Sequence, residues 1–377
     1  MYFTTIKYSA QLYYSLFKCY VLPVSLIKLL RRLIMQFINI FKYIKNMFEQ
    51  KEYLSCNWLE HGINFDRNCI KICCMMFHKG GGPRPLLYNG DYFNYKKYYS
   101  ILRKLRKFHK KGNILPFCEG CINLTSKKWD NKNYISHINF DSNMSCNSNC
   151  IYCKSPKDSK IYYRYETVKD LLNKKILIPD GEVMFGGGEP TIHPEFERIV
   201  NLLLDNNFNH IKVHSSGIKY SQAIERALSE NKAEVVISPD SGEKDLYKTI
   251  KGVDCFDETW GNIARYTKAQ KDNKNQMKIK YIIIPDINDS KEHVDKFLLK
   301  AKEAETSAIR LDIECVWYQY NRNNETVLAP YFDLFVYIEN RAKELGIEEL
   351  CYQAQAQTAI SEHSGLYEKA KITAAEA

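Results

Sequence analysis

From residue 130 onward the chain repeats one pattern: a short apolar run that reads as a strand, then a longer stretch with helical spacing. The strand-like runs are His137–Phe140, Glu182–Phe185, His210–His214, Glu234–Ser238, Lys278–Ile284 and Ala308–Val316. The helical patterns between them include Tyr165–Lys174, Glu195–Asn206, Ser221–Glu230, Glu258–Lys271 and Lys291–Ala304. Parallel strands cannot be joined by tight turns. Repeated strand-then-helix therefore means a parallel sheet with crossover helices. Periodicity alone leaves a partial barrel and an open sheet both standing. The run at His210 is short and polar, which makes it the weakest of the six.

Composition excludes some classes. In 377 residues, 45% are hydrophobic and 26% charged, which rules out a mainly disordered chain and a small disulfide scaffold. The net charge of +10 is concentrated. Residues 1–50 carry seven Lys or Arg against Glu49 alone, and residues 95–112 carry eight and no acid. From Ser25 to Phe48 the spacing is that of a basic amphipathic helix. Lys28, Arg31, Arg32 and Lys42 fall on one face, and Leu26, Leu29, Leu30, Leu33, Phe37, Ile40, Phe41 and Ile44 crowd the rest. Such a helix fits either the chain's own core or the interface of an anionic membrane. Residues 1–48 show neither the pattern of a secretory signal nor a spanning run. The expectation is a cytoplasmic protein, with peripheral contact through residues 1–48 placing it at the inner membrane face. A second basic helix, Tyr95–Lys111, sets Tyr98, Ile101, Leu102, Leu105 and Phe108 on one side. The tail from Gln353 to Ala377 is small and polar and is expected to fray.

Reduced thiols that cluster suggest metal binding. The sharpest cluster is Cys146-Asn-Ser-Asn-Cys150-Ile-Tyr-Cys153, directly after an expected strand. Three thiols in so short a loop can face one centre and leave one metal position open. One strand–helix–strand unit later comes Phe185-Gly186-Gly187-Gly188-Glu189-Pro190-Thr191, where glycines let backbone approach a ligand closely. Both motifs end strands, where α/β folds bind ligands.

These motifs resemble the radical SAM superfamily. His214-Ser215-Ser216-Gly217, Ile237–Ser241 and Tyr281–Ile287 are similar to its later strands, so the likeness covers about residues 135–325. It implies an α/β fold with a partial (β/α)6 TIM-type barrel around a [4Fe–4S] cluster. Here a cysteine-rich segment and the N-terminal amphipathic helix would precede that barrel. It implies that Cys146, Cys150 and Cys153 ligate three irons, and that S-adenosylmethionine binds the fourth. By the same likeness Gly186, Gly187, Gly188 and Glu189 would meet the methionine amino group. Tyr152 would lie by the adenine, and Ser216 and Ser238 would reach the ribose or carboxylate. The implied chemistry is one-electron cleavage of S-adenosylmethionine to methionine and a 5′-deoxyadenosyl radical, fed by an electron donor such as a flavodoxin or ferredoxin.

Upstream, Cys56, Cys69, Cys73, Cys74, Cys118 and Cys121 form a further set. In part they resemble the auxiliary-cluster segments (SPASM and twitch types) of some radical SAM enzymes, although those segments follow the barrel. The reading is a second iron–sulfur cluster on Cys56, Cys73, Cys118 and Cys121, with Cys69 or Cys74 able to replace Cys73. A structural zinc or plain buried thiols remain open. Cys19, Cys255, Cys315 and Cys351 read as unligated, and His61, His109, His137, His193 and His214 as non-ligands. The expected domains are 1–50, 51–130, 131–325 and 326–377. A second cluster favours oxidation, epimerisation or cross-linking of a sugar or peptide. An RNA substrate would suit the helix at 95–111. The rival from another class is a non-catalytic iron–sulfur redox sensor, against which an intact GGGEPT argues.

Overall fold

The computed structural model describes residues 33–38, 40, 52–66, 69–73, 86–89 and 93–376, except 122, 131, 142–144, 155–159 and 271–274. Cys19, Cys74, the Gly80–Pro83 turn and most of the helix expected at 25–48 lie outside the described residues. Two compact units emerge: Met1–Tyr53 with Ser126–Trp129, and Leu54–Thr125 with Asp130–Ala377.

The larger unit is built on one ten-stranded sheet. Its strands are β1 (Gly62–Asp66), β2 (Cys69–Lys71), β3 (Leu86–Asn89), β4 (His137–Asp141), β5 (Val183–Phe185), β6 (Ile211–Ser215), β7 (Ala233–Ile237), β8 (Met277–Ile283), β9 (Ala308–Ile313) and β10 (Glu349–Tyr352). They lie in the order β10-β9-β8-β7-β6-β5-β4-β1-β2-β3. From β10 to β1 all neighbours are parallel; β2 and β3 add on antiparallel. The six expected strands run side by side as β4 to β9, the mainly parallel α/β sheet of a partial barrel. The helices are α1 (Asn57–His61), α2 (Tyr95–His109), α3 (Tyr165–Asn173), α4 (Phe196–Asp205), α5 (Gln222–Ser229) and α6 (Lys244–Lys251). They continue with α7 (Phe256–Ala269), α8 (Lys291–Glu303), α9 (Cys315–Asn321), α10 (Glu325–Glu344), α11 (Ala354–Glu362) and α12 (Ser364–Glu376).

Strand alternation gives the sheet two different faces. One packs on helices. Phe65, Phe140 and Phe185 stack across β1, β4 and β5 with ring centroids 5.1 and 4.6 Å apart, and Phe185 meets Phe196 of α4 at 5.2 Å. Val213, Val235, Ile279 and Leu311 continue this face and are fully buried. The opposite face carries charges of alternating sign. Lys212 pairs with Glu182 at 2.5 Å, Arg310 with Glu234 at 2.5 Å, Lys278 with Glu349 at 2.7 Å and Glu234 at 3.4 Å, and Lys280 with Asp312 at 3.1 Å. Each of these cations has an anion on the same face of the sheet, one or two strands away, which offsets the cost of removing both from water.

The cysteine-rich segment that precedes the barrel in sequence adds strands to its sheet: β1, β2 and β3 extend it, with Gly62 to Asp66 registered against His137 to Asp141. Other expectations are corrected. The last expected strand stops at Ile313, because the Glu314 carboxylate accepts the Trp317 amide at 2.6 Å and starts α9 there. Cys315 is therefore an exposed helix residue, not a strand residue. The tail is helical rather than frayed. Tyr367 of α12 is buried against Phe332 and Tyr352, and Glu339 accepts its hydroxyl and that of Tyr352. In α2 the buried stripe is Tyr98, Leu102, Leu105, Arg106 and His109, so Phe108 faces outward and Ile101 is half-buried.

Candidate active site

Four loops meet where strands β4, β5, β6 and β7 end, and each expected cofactor segment is one of them. The cysteine loop follows β4, the glycine run follows β5, Ser216 follows β6 and Ser238 follows β7. Gly186 N–H donates to Phe140 O at 3.2 Å, and Glu189 N–H donates to Ser145 O at 2.8 Å, beside Cys146. Gly187 has φ +90, a conformation open to glycine and costly for other residues. The glycine run is thus a backbone ledge laid against the cysteine loop.

Glu189 holds this ledge to β6. It is almost fully buried (1% exposed). Its Oε1 accepts the Thr191 amide (3.0 Å), the Thr191 hydroxyl (2.6 Å) and the Ser215 hydroxyl (2.9 Å), and its Oε2 accepts the Ser216 amide. A carboxylate that accepts this many hydrogen bonds is fixed in place. Its side chain serves the fold of the ledge; the glycine backbone is what remains to meet a ligand. The Ser216 hydroxyl donates to Asn147 Oδ1 at 3.0 Å and so touches the cysteine loop, while Ser238 is half-buried at the end of β7.

The cysteine loop rests on α6. Asn149 N–H donates to Lys251 O (2.7 Å) and Ile151 N–H to Ile250 O (3.0 Å). The Tyr152 hydroxyl donates to Asp240 Oδ2 at 2.6 Å, and Lys251 Nζ donates to the Tyr152 oxygen at 2.8 Å while pairing with Asp240. Lys251 and Asp240 are 3% and 0% exposed, so neither charge could stand there alone. Asp240 Oδ1 also accepts Ile282 N–H at 2.8 Å, and the Tyr152 ring packs on Ile250, Ile282 and Ile284. Sequence reasoning missed Asp240, Lys251 and Asn147 as supports of the loop. Lys251 carried no signal at all, because α6 itself was not expected.

The three loop thiols are within electrostatic reach of one another. Burial pushes the Cys146 thiol up, and Glu189, Cys150 and Cys153 add to that. Cys146 and Cys153 are exposed and Cys150 is half-buried, so the thiols sit at an open mouth. Soft thiolates on a short loop, beside a backbone ledge, fit an iron–sulfur cluster with one open iron.

A second group of thiols gathers at α1. Cys56 caps that helix, its sulfur accepting Leu59 N–H at 3.3 Å. Burial raises its pKa to about 11, with Cys73 and Cys121 contributing, and burial likewise raises Cys118, acted on by Cys73, Cys56 and Cys121. Cys56, Cys73, Cys118 and Cys121 are thus within electrostatic reach of one another. Cys69 lies on β2, registered with Asp66 and Asn89. Among the described residues no three His, Cys, Asp or Glu side chains are already arranged as a metal site, and this holds equally for the Cys146 loop.

The Radical SAM superfamily model matches residues 144–298 of the chain. Among curated relatives, 7,8-dihydro-6-hydroxymethylpterin dimethyltransferase of Methanocaldococcus jannaschii is 30% identical over 142 residues, 35% of this chain and 27% of the relative. GTP 3′,8-cyclase of Microcystis aeruginosa is 27% identical over 172 residues, 42% of this chain and 50% of the relative. The chain therefore spans half or less of these relatives. SuiB of Streptococcus suis, solved with its precursor peptide SuiA, aligns over 74% of this chain and 58% of its own with 13% identity and a TM-score of 0.49.

Proposed function

We propose that the chain is an enzyme that reductively cleaves S-adenosylmethionine and uses the radical to abstract a hydrogen from a sugar or peptide, for oxidation, epimerisation or cross-linking. The observation that carries this is the hydrogen-bonded junction of the glycine ledge with the cysteine loop, at Glu189 N–H and Ser145 O. When bound, the cluster supplies the electron that splits the sulfonium carbon–sulfur bond to methionine and a 5′-deoxyadenosyl radical. Cys146, Cys150 and Cys153 would hold it. The ledge from Gly186 to Gly188 offers backbone groups to the methionine end. Tyr152, Asp240 and Lys251 keep the loop from moving while it is loaded.

Cys56, Cys73, Cys118 and Cys121 are the ligands we assign to a second iron–sulfur cluster. Their mutual approach supports this, as does Cys73 itself, a non-glycine residue held at φ +69. A second cluster could accept an electron from a substrate radical, which is why net oxidation is favoured. Anaerobic reconstitution followed by iron and sulfide counting tests both assignments. About eight irons per chain, falling to about four in a Cys146, Cys150, Cys153 triple alanine variant, is the expected result. About four falling to near zero would remove the second cluster. Incubation with S-adenosylmethionine and dithionite should release 5′-deoxyadenosine. None from a fully loaded protein would refute the catalytic reading and leave a redox sensor.

A further inference from the structure

Two exposed elements have no part in the site just described. The first is the outer face of α2. With Tyr98, Leu102, Leu105, Arg106 and His109 turned inward, Lys96, Arg103, Lys104, Lys107, Lys110 and Lys111 are all exposed along one strip. No acid occurs between residues 95 and 112 to neutralise it. Phe108 and Ile114 are 39% and 43% exposed at the end of this strip. The second element is in the smaller unit. Residues 33–38 and 40 are helical, and Leu33, Ile34, Met35, Phe37, Ile38 and Ile40 are between 45% and 70% exposed.

We propose that the chain docks on an anionic lipid surface through two separate elements: residues 33–38 and 40, whose apolar side chains enter among the acyl chains, and the α2 strip, whose cations meet the acidic head groups. Water is a poor solvent for six large aliphatic and aromatic side chains on so short a helix, and an acyl interface is a good one. A cationic strip with no acids is drawn to negative head groups over about a Debye length. Lasting but reversible peripheral binding takes two signals, an apolar insertion and a polybasic patch, and each unit carries one of them. No helix among the described residues is long and apolar enough to cross a membrane, so the contact proposed is along its surface. A nucleic acid would also satisfy the α2 cations, but it would leave the exposed aliphatic residues at 33–40 without a purpose.

Flotation of the full chain with phosphatidylcholine vesicles, with and without phosphatidylglycerol, tests this. The wild type is expected to float with the anionic vesicles, to stay behind with the neutral ones, and to be released by added salt. A variant carrying Arg103→Glu, Lys104→Glu and Lys107→Glu, and a separate one carrying Ile34→Ser and Phe37→Ser, should each bind about tenfold more weakly or worse. Both should keep the wild-type melting temperature and 5′-deoxyadenosine production in solution. Binding that either variant retains in full would overturn the assignment for the element it alters. Failure of the wild type to float with anionic vesicles, with single-stranded RNA bound in a way that only the α2 variant loses, would replace the lipid with a nucleic acid.

Discussion

At the scale of single residues, the cysteine loop depends on a buried charge pair. Replacing Lys251 with Met would leave the fully buried Asp240 without its cation, and should cost about 3–5 kcal/mol in stability. Tyr152→Phe removes only the hydroxyl that bonds Asp240, so it should cost about 1 kcal/mol. Chemical denaturation of the two variants side by side checks the contrast; equal losses would mean the pair is not what holds the loop. His214 makes a second prediction, for pH. Burial, and then the cations Arg310 and Lys280, lower its pKa to about 4 from the usual 6.5. A histidine lowered in the folded state makes the folded form bind fewer protons than the unfolded one between those values. Its contribution is therefore intact above about pH 6.5 and is lost as pH falls toward 4, about 3 kcal/mol in all. His61, His109 and His193 are also lowered by burial and act in the same sense. Melting temperature followed from pH 7 to pH 5 should drop, and His214→Gln should flatten the drop.

At the scale of elements, the charged face of the sheet behaves as a lattice rather than as separate pairs. Glu234 accepts from Arg310 and Lys278 together, so Glu234→Ala strands two cations on neighbouring strands. A loss on the order of 2 kcal/mol is expected, and it should shrink when Arg310→Met is added; strict additivity in that double-mutant cycle would show that the lattice is not coupled. The elements also show what a single sequence can disclose. All six barrel strands were legible because apolar residues recur at the sheet's own period and helices follow at theirs, as in Val213 and Val235 against Phe196 and Val200. β2 was not, since Cys69–Lys71 is three residues long and has no alternation to read. β10 was hidden because Glu349–Tyr352 is half-buried throughout, as an edge strand is. The tail was misjudged because its residues are small and carry little pattern, while its docking comes from buried alanines, Ala356, Ala359 and Ala370, and from Tyr367, which only the folded chain brings to their partners.

At the scale of the whole molecule, both groups of thiols lie in the larger unit. The Cys146 loop was legible as a motif, because its three thiols are local in sequence. The set at Cys56 was legible as a list of cysteines; its grouping came from three separate stretches that only folding brings together. The supports of the cysteine loop were illegible for the same reason, since Tyr152 meets Asp240 and Lys251 across 88 and 99 residues of chain. That distance has a consequence for biogenesis. On the ribosome Cys146, Cys150 and Cys153 emerge well before Lys251, and before Ile282, whose amide also holds Asp240. The nascent loop has no rest on α6 at that stage, and its sulfurs are open to oxidation or to the wrong metal. On the proposed reading, delivery of iron and sulfide would wait until synthesis has passed β8. The timing of translation would then bear on how many chains take up a cluster at this loop.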